Sequence, residues 1–148
     1  MAGALTPERT AARLCELSSD ARAAVLVDAA GSLAGAGEVD PEQARALAER
    51  ARELFAAVDR APRPEGVDPP EQVEAQVDGG AVFASRTPRW TLAVVARRAA
   101  LSSLMLYDLR SVLAELEGGP PIRTSVSAAV PPDALPDPPV PELGREQG

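Results

Sequence analysis

The 148-residue sequence contains no histidine and no lysine, so all 15 of its basic residues are arginine. The chain therefore lacks the commonest general base and metal ligand, the amine that forms Schiff bases, and the lysine of phosphate-binding P-loops. These absences argue against an enzyme. We expect no catalytic residue, no cofactor site and no metal site.

Cysteine occurs once, at Cys15. A single cysteine cannot form an intrachain disulfide or a Cys/His zinc site, which indicates a reducing compartment. Because Leu14 and Leu17 place Cys15 in a helical apolar pattern, we expect a small buried side chain rather than a reactive thiol. Signal-peptide and membrane-spanning patterns are also missing, so the sequence predicts a cytoplasmic protein.

Basic residues are outnumbered by acidic ones, 15 to 22, so the formal net charge is -7 and the pI is about 4.6. Nucleic acids and anionic lipids are bound mainly through basic surfaces. We therefore expect no nucleic-acid partner and no membrane insertion. A protein partner fits this charge better, and the 45% apolar content is enough for one core.

Proline is concentrated at one end, since eight of the 15 prolines lie in residues 117–148. That segment has no sustained apolar period and predicts a disordered tail with polyproline II character. Residues 136–139, PDPP, match a PxxP motif, but a passive tail is favoured over a docking peptide. Residues 1–6 are expected to form a flexible N-terminus.

The intervening residues, 7–116, carry the patterns of one α+β domain. Thr6 and Pro7 predict the start of a first helix, which runs to about residue 18. The continuous apolar segment 23–27 predicts an interior strand, and residues 32–36 return as a second strand. A capping box then starts the second helix with Asp40, Pro41 and Gln43.

Three further strands and a last helix follow a proline-rich loop at residues 61–70. QVEAQV, from residue 72, alternates as a strand that is wet on one side, and Asp-Gly after it predicts a hairpin into AVFAS. WTLAVVA, residues 90–96, is the next strand, and the apolar face from Leu101 to Leu116 predicts a closing helix. The predicted order is α-β-β-α-β-β-β-α.

VLVDAAGSLAGAG, residues 25–37, has the order of strand, glycine-rich turn and helix that phosphate-binding loops share. Neither nucleotide motif fits, because the Walker lysine is missing and the glycine spacing of the dinucleotide fingerprint fails. Four carboxylates around the loop and the next helix also disfavour an anion: Asp28, Glu38, Asp40 and Glu42.

We therefore interpret this segment as a hairpin. Asp28 is suited to accept hydrogen bonds from its own turn, and Gly31 to adopt a positive φ. Gly35 and Gly37 are expected to ease the crossing from the second strand into the capped helix.

The element order and this hairpin resemble the roadblock family, named for the dynein light chain roadblock and common in bacteria beside small Ras-like GTPases. The resemblance covers residues 7–116. It rests on AAVLVDAAGSLAGAG, on the alanine-rich helix DPEQARALAERARELFAAV, and on the three-strand meander with its closing helix, which begins at VEAQV. The proline-bearing loop and the acidic tail depart from a minimal family member.

The resemblance implies a five-stranded antiparallel sheet with packed helices, a roadblock/profilin-like fold. It also implies a non-enzymatic homodimer that binds a small Ras-like GTPase or a larger complex. The second helix and the first meander strand are the implied dimer region, and an exposed edge strand needs pairing or protection in any case. The expected interface residues are Leu47, Ala51, Leu54, Val58, Val73, Ala75 and Val77.

Four arginines are candidates for reaching an acidic patch or the GTP of a partner: Arg50, Arg52, Arg97 and Arg98. A solvated face with Glu49 and Glu53 nearby is the favoured alternative. Ordinary packing is likewise favoured over a binding hot spot for Phe83 and Trp90.

Two other functions stay open at this point. The first is a small-molecule sensory module, because mixed α/β folds with a curved sheet also form ligand pockets. The second is a structural dimerisation unit in a larger complex.

Overall fold

The structure is a computed structural model that describes residues 5–118. Residues 1–4 of the predicted N-terminal segment and residues 119–148 of the predicted tail lie outside the described residues.

Three helices and five strands follow one another in the predicted order. Their bounds are α1 (Pro7–Leu17), β1 (Ala21–Asp28), β2 (Leu33–Gly37), α2 (Pro41–Arg60), β3 (Gln72–Val77), β4 (Gly80–Arg86), β5 (Trp90–Arg97) and α3 (Ser102–Leu116). Strand β1 begins two residues earlier than predicted because Ala21 still pairs with Ala96 of β5.

The five strands form one antiparallel sheet in the order β2-β1-β5-β4-β3. The outer strands β2 and β3 are therefore its two edges. The predicted five-stranded antiparallel sheet and the predicted α+β element order are confirmed.

Helices cover both faces of the sheet. Helices α1 and α3 pack on one face, over a core that includes Leu14, Phe83 and Leu109. Of the described helices, α2 alone covers the other face, where Phe55 packs with Val25 and other residues of β1, β4 and β5. Burial on both sides explains why β1 and β4 read as continuous apolar segments rather than as alternating ones.

The residues predicted to start α1 and α2 cap their helices in different ways. Asp40 Oδ1 accepts a hydrogen bond from the Gln43 amide at 2.8 Å, so α2 has the predicted side-chain cap. Thr6 occupies the N-cap position of α1, but its side chain makes no capping bond. Its carbonyl instead accepts a hydrogen bond from Thr10 Oγ1 at 2.8 Å, which satisfies a buried hydroxyl that the pattern did not reveal.

The segment at residues 25–37 forms the β1–β2 hairpin, as the sequence predicts. Asp28 Oδ1 accepts hydrogen bonds from the amides of Ala30 and Ser32, each at 2.9 Å. Gly31 has a φ of 90°, which suits a glycine at the turn.

The expected role of the next two glycines was wrong. Neither Gly35 nor Gly37 has a positive φ, and the crossing towards α2 is made by Glu38, whose φ is 61°. The glycines are needed because α1 lies directly on β2. A Cβ added at Gly35 would lie 2.6 Å from the Pro7 carbonyl oxygen, and one at Gly37 would lie 2.9 Å from the Ala12 Cα.

We predict that Gly35→Ala and Gly37→Ala each destabilise the fold by about 1–3 kcal/mol, because the added methyl group pushes α1 away from the sheet. The free energy of unfolding in urea measures this effect. Gly31→Asn is the control, since its position is open and asparagine tolerates a positive φ. A close contact between α1 and β2 would be contradicted if all three variants were equally stable.

Candidate functional site

The seven predicted interface residues divide into two groups in the structure. Leu47 and Ala51 are buried beneath α2 with exposed fractions of 6% and 1%, so their side chains belong to this chain's own core. The other five are partly buried and lie where a partner could cover them further: Leu54, Val58, Val73, Ala75 and Val77. Their role as an interface stays a prediction.

Helix α2 and the edge strand β3 are joined by apolar packing. Leu54, Val73 and Val77 pack against the same core cluster under α2. Strand β3 pairs with β4 through all six of its residues, from Gln72 to Val77, and it ends the sheet on that side. Leu54 of α2 and the two valines of β3 are therefore linked through the core residues that lie between them.

A groove of about 370 Å³ borders α2 elsewhere. It lies between α2, the turn after β1 and the turn that joins β4 to β5, and Ala48, Phe55 and Ala56 form its α2 wall. Neither Leu54 nor Val58 lines it. The groove and the predicted interface thus use different side chains of the same helix, apart from the buried Ala51, which is common to both.

Arg86 closes one end of this groove. Its guanidinium donates hydrogen bonds to both carboxylate oxygens of Asp59, at 2.6 and 3.0 Å, and another to the Pro70 carbonyl at 3.0 Å. The Arg86 Cζ atom also lies 4.3 Å from the centroid of the Phe55 ring. This arrangement attaches the end of α2 to the start of the β4–β5 turn, using the planar fork that arginine provides.

The pKa values of this pair move in the directions that such a contact produces. The hydrogen bonds from Arg86 hold the pKa of Asp59 below its usual value, and those to Asp59 raise the pKa of Arg86. Sequence reasoning missed the pair, because the two residues are 27 positions apart and no local pattern connects them.

The four candidate arginines do not form a cluster. All are exposed, and Arg52 is engaged by both carboxylate oxygens of Glu49 at 2.6 Å. Arg97 ends β5, and Arg98 follows it, near the start of β1, whereas Arg52 borders the groove near the start of β5. The arginines of α2 and those after β5 therefore serve different surfaces.

Packing, rather than binding or reactivity, accounts for three further residues: Phe83, Trp90 and Cys15. Phe83 is 1% exposed in the core under α1 and α3, so packing accounts for it. Trp90 is partly buried against the same core. Cys15 is partly buried rather than fully buried as expected. Burial, with the carboxylates of Glu38 and Glu16, still raises the pKa of Cys15 to about 11, so the thiol is protonated and poorly nucleophilic at neutral pH.

Within residues 5–118, no group of three or more His, Cys, Asp or Glu side chains is placed to hold a metal ion. None of the helices in this part of the chain is long and apolar enough to cross a membrane.

Comparison with solved structures places this fold among known ones. A Roadblock/LC7 domain from Streptomyces avermitilis superposes with a TM-score of 0.67 at 21% identity, covering 76% of this chain and 96% of that one. The gliding protein MglB from Thermus thermophilus gives a TM-score of 0.54 at 19% identity, covering 78% of this chain and 90% of that one. Profilin from Schizosaccharomyces pombe gives 0.52 at 12% identity, covering 76% and 98%.

Sequence comparison adds no relatives to these structures. No family model matches the chain, and no curated protein matches it significantly. The resemblance to roadblock domains is confirmed by structure, and at these identities it shows a shared fold.

We predict that Arg86→Met destabilises the chain by about 1 kcal/mol, since methionine keeps the contact with Phe55 but loses the bonds to Asp59 and Pro70. Urea unfolding measures the change. Arg52→Met is the matched control, because its ion pair with Glu49 is exposed and lies within one helix. An equal loss in both variants would show that the Arg86 contact is no stronger than a surface pair.

We also predict a pH dependence for Asp59. Its pKa is lowered in the folded chain, so ionised Asp59 stabilises the fold fully above the pKa of an unfolded aspartate, about 3.9. That contribution is lost as the pH falls through the lower, folded pKa. The melting-temperature difference between the wild type and Asp59→Asn should therefore be constant above about pH 5 and should shrink in more acidic solution.

Asp78→Asn, in the β3–β4 turn, is the control for a carboxyl group without an ion pair within 4.0 Å among residues 5–118. A difference for Asp59→Asn that stays unchanged to about pH 3 would contradict the proposed contact.

Proposed function

We propose that the chain is a non-catalytic, dimeric adaptor or regulator that binds a small Ras-like GTPase or a complex containing one. The observation that carries the proposal is the superposition on a Roadblock/LC7 domain, which covers 96% of that domain. The proposal takes from the family resemblance both the homodimer and the GTPase partner.

The surface formed by α2 and β3 supports the dimeric part. Strand β3 is an edge whose Val73 and Val77 are only partly buried, and unprotected edges of this kind tend to pair with other strands. A two-fold dimer would place the same surface of each copy together. Leu54 and Val58 would then be covered along with the strand.

The chemistry of the chain supports a non-catalytic role. It has no histidine or lysine to act as a general base or as a phosphate ligand. Any nucleotide in the assembly would then belong to the partner. Arg50 and Arg98 are exposed and could contact such a partner, although a solvated face remains the favoured interpretation for them.

The test combines two measurements on the full chain. Light scattering at tens of micromolar should give twice the mass of one chain. Immobilised protein should also retain a small Ras-like GTPase from the same organism, and should change that GTPase's rate of GTP hydrolysis. A monomeric mass would reject the dimer. The absence of both retention and a rate change would reject the GTPase partner.

The groove beside α2 favours one alternative, a small-molecule sensory module. Its volume of about 370 Å³ falls within the range of small-ligand pockets, although it is open to solvent. A metabolite that raises the melting temperature of the wild type but not of Ala56→Trp, which fills the groove, would support this function. A dimer that binds neither a GTPase nor a metabolite would instead be a structural dimerisation unit.

A further inference from the structure

We propose that the groove beside α2 is occupied, in the chain without a partner, by the chain's own proline-rich residues 131–141, which we call the tail segment. These residues lie outside the described part of the chain, but the described part ends beside the groove. The inference needs neither a dimer nor a GTPase, so it goes beyond the proposed function.

The end of α3 is attached to the rim of the groove. Helix α3 stops at Leu116, and the next side chain, that of Glu117, accepts a hydrogen bond from Thr87 Oγ1 at 2.6 Å. Thr87 belongs to the β4–β5 turn and lines the groove. Its hydroxyl oxygen also accepts hydrogen bonds from the amides of Arg89 and Trp90, at 3.2 and 3.1 Å, which hold the side chain in place. The rest of the chain therefore starts next to the groove.

The connection to the tail segment is long enough to reach any part of the groove. Gly118 has a φ of 78°, a conformation that ends a helix and turns the chain aside. Residues 119–130 then precede the tail segment. Fully extended, this connection spans about 40 Å, whereas a domain of this size is about 35 Å across.

The lining of the groove suits a proline-rich occupant. Two aromatic residues, Phe55 and Trp90, line it together with Pro88 and with alanines of α2. Proline-rich peptides bind in grooves lined by aromatic side chains, and they lose little conformational entropy because their extended polyproline II helix is already formed. The tail segment has this composition, since six of its 11 residues are proline.

The acidic side chains that line the groove are already engaged. Asp59 is paired with Arg86, and Asp28 accepts hydrogen bonds from two amides of its own turn. The two arginines and two aspartates of the lining balance one another, so the groove does not repel a segment of either charge.

Arg52 is the lining residue that can bind an acidic occupant. Its pair with Glu49 is exposed and lies within one helix, so that pair contributes little stability. The tail segment carries Asp133 and Asp137 and no basic residue. One of these carboxylates can therefore accept hydrogen bonds from Arg52 in place of Glu49.

Covalent attachment favours the chain's own tail over a free peptide. A segment on a short linker has an effective concentration of about 1 mM at a neighbouring site. A contact with a dissociation constant of about 0.1 mM would then keep the groove about nine-tenths occupied. A free peptide of equal affinity at about 1 μM would occupy about one-hundredth of it. The sequence alone favours a passive tail, and the position of Glu117 beside the groove changes that interpretation.

Paramagnetic broadening of NMR signals tests the docking in the full chain. A nitroxide is attached at Glu142→Cys, just beyond the tail segment, in a Cys15→Ala background. The amide signals of Ala56 and Thr91, which line the groove, should lose most of their intensity. The signal of Leu109, on the other face of the sheet, should keep its intensity.

Filling the groove should release the tail segment. Ala56→Trp in the labelled chain should restore the Thr91 signal, because the larger side chain occupies the space that the tail segment needs. Ala46→Trp is the matched control, since Ala46 is an exposed alanine of α2 that does not line the groove. The Thr91 signal should stay weak in that variant.

A change confined to the tail segment tests the same contact without altering the folded domain. The triple variant Pro136→Gly/Pro138→Gly/Pro139→Gly should also restore the Thr91 signal, because it removes three proline rings and the stiffness of the segment. Pro120→Gly/Pro121→Gly, which lies before the tail segment, is its control and should leave the signal weak.

Three results would overturn the inference. The first is full intensity for Ala56 and Thr91 in the labelled chain. The second is a loss of intensity that neither Ala56→Trp nor the triple proline variant reverses, since the tail segment would then lie outside the groove. The third is broadening of Thr91 in an isotope-labelled chain by the nitroxide of a second, unlabelled chain, which would assign the groove to another copy's tail. Each of these results leaves the proposed dimer and GTPase partner to their own tests.

Discussion

The structure of residues 5–118 depends on covering both faces of a five-stranded sheet with three helices. The sheet is about 19 Å across between its edge strands, and a helix with its side chains is about 10 Å wide. Helices α1 and α3 together cover one face. Among residues 5–118, α2 is the one helix on the other face, and because it is too narrow to reach both edges, it leaves the groove beside it open and the side chains of β3 only partly buried.

This constraint explains why the two candidate surfaces lie on the same side of the molecule. Each is a place where the sheet beneath α2 is incompletely covered, and neither requires a special motif. It also explains the composition of α2. The residues at its centre line are buried, such as Leu47 and Phe55, while the flanks carry alanines and paired charges that keep the helix thin.

The fold was predictable because it rests on local patterns. Strand β1 is buried on both faces, and its sequence AAVLV is accordingly apolar throughout. The start of α2 is indicated by the capping box of Asp40, Pro41 and Gln43. The predictions that failed concern contacts between residues that are distant in the sequence. The glycines of β2 were expected to ease the crossing into α2, yet Gly37 is required by its contact with Ala12 of α1, from which it is separated by strand β1. The pattern of residues within β2 does not predict that contact.

The candidate site was predictable to a smaller extent for the same reason. An alternating β3 beside a proline-rich loop indicated an edge, which the sheet order confirms. Apolar spacing on α2, however, selects residues that face the core as readily as residues that face a partner, which is why Leu47 and Ala51 entered the predicted interface although they are buried. The Arg86–Asp59 pair had no sequence signal, since it forms only when the β4–β5 turn reaches the end of α2.

The arginine-only composition bears on how such surfaces are held. Lysine offers a flexible point charge, whereas arginine fixes direction through its planar fork. Arg86 uses that fork to join α2 to the β4–β5 turn, whereas Arg52 contacts both carboxylate oxygens of Glu49 through its Nη2 alone. On α2, the exposed Arg50 and Glu53 take part in none of the ion pairs found among residues 5–118, so the helix that supports the core also carries charged side chains that no ion pair in that part of the chain holds in place.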